Sequence, residues 1–348
     1  MKKKGIMVNS ISLDGQLGRV LKRGIYLITH EPKPWEIDPG KLTVKEEIAR
    51  GAFASVHKGS YIGQKVAVKI IVWDDDDSQK TKSQAEAIKE AFIREVEVWY
   101  NLDHPNIAKL IGATLDTNAI RFYNDKDQIV MPTRKPCIVV EYLPGGTLKS
   151  YLKNNLGKKL DLQIVIQFAL DIAKGLSYLH SKNIIHRDMK TDNLLLTKDC
   201  RIKIIDFGLS RHENPEEIMT GCTGTMGYMA PEVYNKKLYN RKCDVYSFGI
   251  CLWEIYICSI GKPYPKLTFS QLCNSGESYE KMRPEIPKSC PESLARVMKK
   301  CWNADPNRRP EMEEVVSMLE AINTSRNGGK NIMHHDQPQG CLCFYKSK

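Results

Sequence analysis

Residues 186–208 read His186-Arg187-Asp188-Met189-Lys190-Thr191-Asp192-Asn193, Leu194-Leu195-Leu196, Thr197-Lys198-Asp199-Cys200-Arg201, Ile202-Lys203-Ile204-Ile205 and Asp206-Phe207-Gly208. Two short apolar runs flank Lys198-Asp199-Cys200, the pattern of a hairpin that folds the ends of the stretch back onto one site. Asp188, Asn193 and Asp206 are then brought together. Carboxylate and amide oxygens are the ligands Mg²⁺ prefers, and Lys190 among them is a point charge suited to a phosphate. The stretch predicts a magnesium-nucleotide site.

Upstream lie residues able to grip a nucleotide. Ile48-Ala49-Arg50-Gly51-Ala52-Phe53-Ala54-Ser55-Val56 is a small-residue turn between two predicted strands, and backbone N–H groups approach phosphates only where side chains are minimal. Taken alone, the same residues equally describe an ordinary hairpin. Lys69 lies inside the apolar strand Val66 to Val72, where a cation needs a partner. Glu95 sits on the apolar stripe of the next helix, between Phe92 and Trp99. An inward glutamate left unpaired costs about 3–5 kcal/mol, so Lys69–Glu95 is the natural pair. A purely structural ion pair, or a glutamate that snorkels to solvent, fits those two residues as well.

Composition sets the outer bounds. The 348 residues suffice for a two-lobed domain. With 52 basic and 41 acidic residues the net charge is +11, of which residues 1–41 supply +4 and residues 323–348 supply +3. The remainder is modest, and without an aromatic-basic ladder or zinc-finger spacing a nucleic-acid partner is not expected. The 11 cysteines are scattered, with no Cys-x-x-Cys, so reduced thiols are expected. Met1-Lys2-Lys3-Lys4-Gly5 lacks a following apolar core of signal-peptide length, Gly5 is misplaced for myristoylation, and Ser247 to Ile260 is too short to cross a bilayer and contains Glu254. A soluble protein of the cytoplasm is expected.

The period of the apolar residues changes along the chain. Residues 1–41 read as an extension. Residues 42–72 read as short strands, Asp74-Asp75-Asp76-Asp77 as a solvated loop, and Ile88 to Leu102 as a helix. Residues 107–115 and 137–141 are strand-like. Pro144-Gly145-Gly146 breaks the pattern, and Thr147 is placed to cap the next helix. Helices are then predicted over 162–180, 245–260, 291–302 and 312–322. No internal repeat is visible. The fold class is α+β, with a β-rich part before an α-rich one.

The ordered set Gly51, Val66-Ala67-Val68-Lys69, Glu95, His186-Arg187-Asp188, Asn193, Asp206-Phe207-Gly208 and Ala230-Pro231-Glu232 resembles the protein-kinase signature. No Gly-x-x-x-x-Gly-Lys-Ser/Thr run offers a P-loop instead. The resemblance covers residues 42–322 and implies a bilobal fold: a β-rich N-lobe over 42–141 with one helix, a hinge over 142–146, and a helical C-lobe over 147–322. It implies ATP and Mg²⁺ as cofactors and protein hydroxyls as acceptors. Asp188 would take or orient the acceptor proton, and Lys190 would neutralise charge on the phosphoryl group. Asn193 and Asp206 would hold Mg²⁺, while Lys69, fixed by Glu95, would hold the α- and β-phosphates. Ile48, Gly51 and Phe53 would cover the nucleotide. Adenine would lie against Val56, Ala67 and Leu195, beside the gatekeeper Val140 and the backbone of Glu141 to Leu143. Glu232 would pair with Arg309, and Asp244 would support the catalytic loop.

Finer features divide the kinase classes. Lys190-Thr191-Asp192 and Thr225 resemble serine/threonine kinases, whereas Asp244-Val245-Tyr246-Ser247-Phe248-Gly249, Leu252-Trp253-Glu254-Ile255 and Cys301-Trp302 look tyrosine-kinase-like. That mixture is similar to the Raf-like branch. Trp35-Glu36-Ile37-Asp38, Leu102-Asp103-His104-Pro105-Asn106 and Met282-Arg283-Pro284-Glu285 resemble plant Raf-like MAP kinase kinase kinases of the small, single-domain sort, which implies a downstream kinase as substrate. Two other readings stand beside an active serine/threonine kinase. A pseudokinase scaffold is motivated by Ala49 and Ala54, which replace two glycines of the Gly-rich loop; alanine at a positive-φ site costs about 1 kcal/mol. A dual-specificity enzyme is the other. Arg187 beside Asp188 implies activation by phosphorylation, with Thr220 or Thr223 as the site and Ser210 behind them. In the expected flexible tail, residues 323–348, Cys341 and Cys343 among apolar and basic residues suit acylation and peripheral membrane attachment, or are simply free thiols of a disordered tail.

Overall fold

The computed structural model describes residues 33–51, 54–71, 82–115, 120–123, 129–130, 135–213, 219, 221–258 and 282–322. Phe53, Asp74 to Asp77, Thr220, Cys341 and Cys343 lie outside these residues.

Strands β1 (Leu42–Arg50), β2 (Ala54–Tyr61), β3 (Gln64–Ile71), β4 (Leu110–Thr114), β5 (Arg121–Tyr123), β6 (Ile129–Val130) and β7 (Cys137–Glu141) form one sheet, in the order β4-β7-β3-β2-β1-β5-β6. β2 turns into β3 through Ile62 and Gly63, both at positive φ (48° and 78°), as a two-residue hairpin requires. Alternation along β3 sorts its side chains onto two faces. Val66, Val68 and Ile70 are buried against Leu42, Val44 and Val139. Lys69, on the opposite face, stands across from Ile138, which packs in the main core with Phe92, Val96 and Trp99 of helix α1 (Lys82–Tyr100). A lysine inside an apolar strand is thus aimed at the helix that carries Glu95.

The segment just before β1, read from sequence as part of an extension, is built into this lobe at its end. Ile37 N–H donates to Ala113 O (3.1 Å), Ala113 N–H donates to Trp35 O (2.9 Å), and Trp35 is buried. A Cβ on Gly112 would come within 2.6 Å of Trp35 O, so only glycine permits this approach.

The second lobe contains helices α2 (Leu148–Asn154), α3 (Leu162–Ser181), α4 (Pro231–Tyr234), α5 (Lys242–Ile257), α6 (Glu292–Cys301) and α7 (Met312–Glu320). Thr147 caps α2, its Oγ1 accepting from Ser150 N–H at 3.1 Å. α3 buries Val165, Phe168, Ile172, Leu176 and Leu179, at about 1.5–3 kcal/mol per large side chain. α5 is buried on every side from Cys243 to Tyr256, which accounts for its unbroken apolar sequence. The short strands β8 (Ile184–Ile185) and β11 (Arg211–His212) pair antiparallel, as do β9 (Leu194–Leu196) and β10 (Ile202–Ile204). The β9–β10 turn is closed by Thr197 Oγ1, which accepts from Asp199 N–H (3.2 Å) and Arg201 N–H (3.1 Å). The predicted hairpin is present in the predicted register. Cys137, Cys243, Cys251, Cys258 and Cys301 are free and buried, and burial pushes the Cys137 thiol up to about 12.

Candidate active site

The loop before β9 hangs from one buried carboxylate. Asp244 of α5 accepts from His186 N–H (2.8 Å), Arg187 N–H (2.8 Å) and the His180 ring (3.0 Å). Burial works against its charge, but the His180 bond and neighbouring positive groups hold its pKa below the usual carboxylate range. Arg187 takes a positive φ of 67°, a conformation a non-glycine residue keeps only where its surroundings enforce it. Asp188 is presented at the loop's tip. Its Oδ1 accepts from Thr225 Oγ1 (2.6 Å), and its Oδ2 accepts from Lys190 Nζ (2.6 Å) and Asn193 Nδ2 (3.2 Å). Lys190 Nζ also donates to Thr225 Oγ1 at 2.8 Å. A carboxylate, an ammonium and a hydroxyl therefore meet in one triangle.

The hairpin returns the chain to the same place. Ile205 N–H donates to Asn193 O at 3.0 Å, which sets Asp206 beside Asn193. Asn193 Nδ2 is spent on Asp188 O (2.9 Å) and Oδ2, so the oxygen of that amide is the atom it offers outward. Among the described residues no group of three or more His, Cys, Asp or Glu side chains is placed to hold a metal alone. One carboxylate and one amide oxygen fit Mg²⁺, which keeps few protein ligands and completes its shell with water and phosphate.

Lys69 Nζ donates to Glu95 Oε1 (2.8 Å) and Asp206 Oδ1 (2.9 Å). Burial would strip its proton; the two carboxylates outweigh that and keep the ammonium charged well beyond the lysine range. Asp206 is likewise buried against its charge, and Lys69 pulls its pKa below the usual value. Phe207 is buried, its ring 5.0 Å from Trp99 and 5.4 Å from His186, and so fixes α1 over the catalytic loop.

The apolar residues expected around an adenine are those left half-exposed. Ile48, Val56, Ala67, Val140 and Leu195 are each partly buried, while their strand neighbours Val66, Val139, Leu194 and Leu196 are fully so. Ile48 falls at a register shift of β1 between Glu47 and Ala49. Glu141 N–H donates to Lys109 O (3.0 Å), its carboxylate accepts from Lys203 Nζ (2.6 Å), and Leu143 is buried next to it. Gly51 N–H donates to Ala54 O at 2.8 Å and closes the loop between β1 and β2. The strain expected of Ala49 and Ala54 is not found. Ala49 pairs with Val56 within β1, Ala54 pairs with Ile71 within β2, and neither has a positive φ. Extended pairing suits a β-carbon as well as it suits glycine.

Beyond Thr225 the chain is anchored twice. Arg309 makes a two-pronged pair with Glu232 (2.6 and 2.8 Å), both side chains buried. Glu254 Oε2 accepts from Tyr228 OH (2.7 Å) and Thr191 Oγ1 (3.2 Å).

Residues 42–319 match the family of protein tyrosine and serine/threonine kinases. The chain belongs to that family. The kinase domain thus carries, in three dimensions, the residues its motifs named. Serine/threonine-protein kinase STY17 of Arabidopsis thaliana is 33% identical over 329 residues, 94% of this chain and 52% of that protein. Serine/threonine/tyrosine-protein kinase HT1 of the same plant is 34% identical over 309 residues, 88% of this chain and 72% of that protein. A mitogen-activated protein kinase kinase kinase of Drosophila melanogaster is 33% identical over 307 residues, 84% of this chain and 24% of that protein. The chain spans about half the length of STY17 and of a second Arabidopsis kinase, STY46. Protein kinases use ATP and Mg²⁺ and act on proteins. Sequence reasoning paired Lys69 with Glu95 and Glu232 with Arg309, and the structure makes both pairs. It missed the second bond of Lys69, to Asp206, and the Thr191–Tyr228–Glu254 cluster. The only sign of that cluster in the sequence was Glu254, an acid inside an apolar helix.

Proposed function

We propose that this chain transfers the γ-phosphoryl group of Mg-ATP to serine and threonine hydroxyls of protein substrates. The seat of the Thr225 hydroxyl, 2.6 Å from Asp188 Oδ1 and 2.8 Å from Lys190 Nζ, carries the reading. An acceptor hydroxyl in that neighbourhood has a carboxylate to take its proton and an ammonium to balance the phosphoryl charge. Lys69 orients the α- and β-phosphates, and Asn193 and Asp206 hold the cation. Bound Mg²⁺ supplies neutralisation of the phosphate oxygens. The acceptor oxygen bonds to the γ-phosphorus as the bridge to ADP breaks, and its proton goes to Asp188. Positioning and charge do this work without a covalent enzyme intermediate.

Regulation follows from Arg187. Its Nε donates to Leu209 O and its Nη1 to Tyr239 OH (3.1 Å), and it shares a small cavity with Thr223. A phosphate on Thr223, or on Thr220, would add an anion next to that guanidinium and order the segment. The Raf-like resemblance and the name of the Drosophila relative favour a downstream protein kinase as substrate. The name of HT1 supports a second reading, dual specificity.

The test is transfer from labelled ATP with Mg²⁺ by the purified chain, against Asp188→Asn and Lys69→Met, followed by phosphoamino-acid analysis. Both variants should fall by several orders of magnitude, with phosphoserine and phosphothreonine as the wild-type products. Wild-type transfer no greater than that of Asp188→Asn would refute the enzyme reading, and mainly phosphotyrosine would refute the acceptor class. In the same assay, full activity of Thr220→Ala/Thr223→Ala would refute the regulatory site.

A further inference from the structure

Glu254 is a buried acid, 4% exposed, that the transfer step does not use. Its Oε2 accepts from Tyr228 OH and Thr191 Oγ1, and those two hydroxyl oxygens lie 3.2 Å from each other. Thr191 follows Lys190 in the catalytic loop. Tyr228 closes the turn that begins at Thr225, its N–H donating to Thr225 O at 3.1 Å. One carboxylate oxygen therefore ties the residue beside Lys190 to the turn carrying the hydroxyl that Lys190 and Asp188 hold.

We infer that Glu254 is a positioning residue whose ionised carboxylate sets the acceptor platform against the catalytic loop, so that platform geometry follows its protonation. Charge-assisted bonds to a carboxylate are about twice as strong as neutral ones. An added proton weakens both bonds and gives a donor to a cluster that already has two. The charged groups nearby are Lys149 and Asp192, which pair with each other at 2.9 Å, and no cation contacts Glu254 among the described residues. Across the cluster, Tyr228 and the buried Cys251 are both held neutral, their pKa values raised first by burial and then by Glu254. Burial pushes Glu254 itself up to about 7, against the pull of the Tyr228 and Thr191 hydroxyls and of Lys149. The switch thus falls in the physiological range.

This inference rests on the kinase reading for its kinetic consequence but not for its structural one, so two measurements are paired. The first is amide hydrogen exchange of wild type and Glu254→Gln on the full chain at pH 8 and at pH 6. At pH 8 the amides of Tyr228 and Met229 should exchange about tenfold faster in Glu254→Gln, a loss of one charge-assisted bond's worth of protection. At pH 6, where the wild-type carboxyl carries its proton, the two proteins should converge. The second is steady-state phosphorylation of casein. Glu254→Gln should raise KM for casein about tenfold and leave KM for ATP unchanged, and the wild-type fall in kcat/KM for casein below pH 7 should be absent from the variant. Equal exchange at pH 8, or exchange differences that persist at pH 6, would overturn the inference, as would equal shifts in KM for ATP and casein. A wild type that transfers nothing defeats the kinase reading, while the exchange measurement still decides the role of Glu254.

Discussion

Replacing Arg309 by methionine tests the tie between the acceptor platform and the end of the C-lobe. The guanidinium is completely buried and donates to both oxygens of Glu232, to Asn303 O (2.8 Å), to Lys242 O (2.9 Å) and to Ala304 O (3.3 Å), and it lies over the Tyr246 ring at 5.2 Å. Methionine keeps much of the volume and removes every donor. Glu232, 6% exposed, is left as an unpaired buried anion, a loss of about 3–5 kcal/mol. The three carbonyls lose their partner as well, so the upper end of that range is expected, against a total stability of about 5–15 kcal/mol. Glu232→Gln leaves the carbonyl bonds in place and should cost less, about 2–3 kcal/mol. Arg309→Met/Glu232→Met removes the orphaned charge and should recover at least about 2 kcal/mol relative to the sum of the single changes. Arg309→Lys should rescue little, because a point charge cannot replace a planar fork. Urea unfolding followed by circular dichroism gives all four values. A loss below about 1 kcal/mol for Arg309→Met, or a coupling near zero, would show that the pair is not what holds Glu232.

Three further outcomes follow from named geometry. Glu254 has its folded pKa raised from 4.5 to about 7, so the folded state binds the extra proton; the stabilisation is full below about pH 4.5 and is lost as pH rises to about 7. Relative to Glu254→Gln, wild type should lose about 3 kcal/mol between pH 4.5 and pH 7.5, measured as urea midpoints, and parallel curves would contradict it. Gly224 has φ +116°, and a Cβ there would lie 2.6 Å from Arg187 O. Gly224→Ala should therefore lower kcat at least about tenfold with the fold retained, and wild-type kcat would refute the crowding. Ala49→Gly and Ala54→Gly should not tighten ATP binding in a fluorescent-nucleotide titration, and each should lower stability by about 0.5–1 kcal/mol, since both positions are extended strand. Tighter binding by either variant would revive the strain expectation.

Much of the site was legible because its signals are local. The β9–β10 hairpin rests on a period-two pattern and a turn, and Thr147 caps its helix through a residue three positions away. Lys69 and Glu95 could be paired because each was a lone charge in an apolar pattern, and a charge in such a place must find its opposite. Trp35 was not legible in the same way. One tryptophan and one isoleucine among polar residues show no period, yet the edge of β4 takes them in through Gly112. The alanines of the loop misled for a related reason. The sequence motif marks where glycines usually stand, while φ is set by the pairing of β1 with β2.

Read alone, then, the residues determined the family, the order of the lobes and the identity of the groups that handle phosphate, since these depend on residue type and near spacing. Tertiary structure decided which partner each buried polar atom takes. Asp244 could have satisfied many donors, and only the packing of α5 beneath the loop assigns it His180, His186 and Arg187. Lys69 gains Asp206 and Glu254 gains Tyr228 and Thr191 by the same route. Burial demands that every such group be satisfied, but that demand does not say by whom, because the choice is made between atoms far apart in the chain.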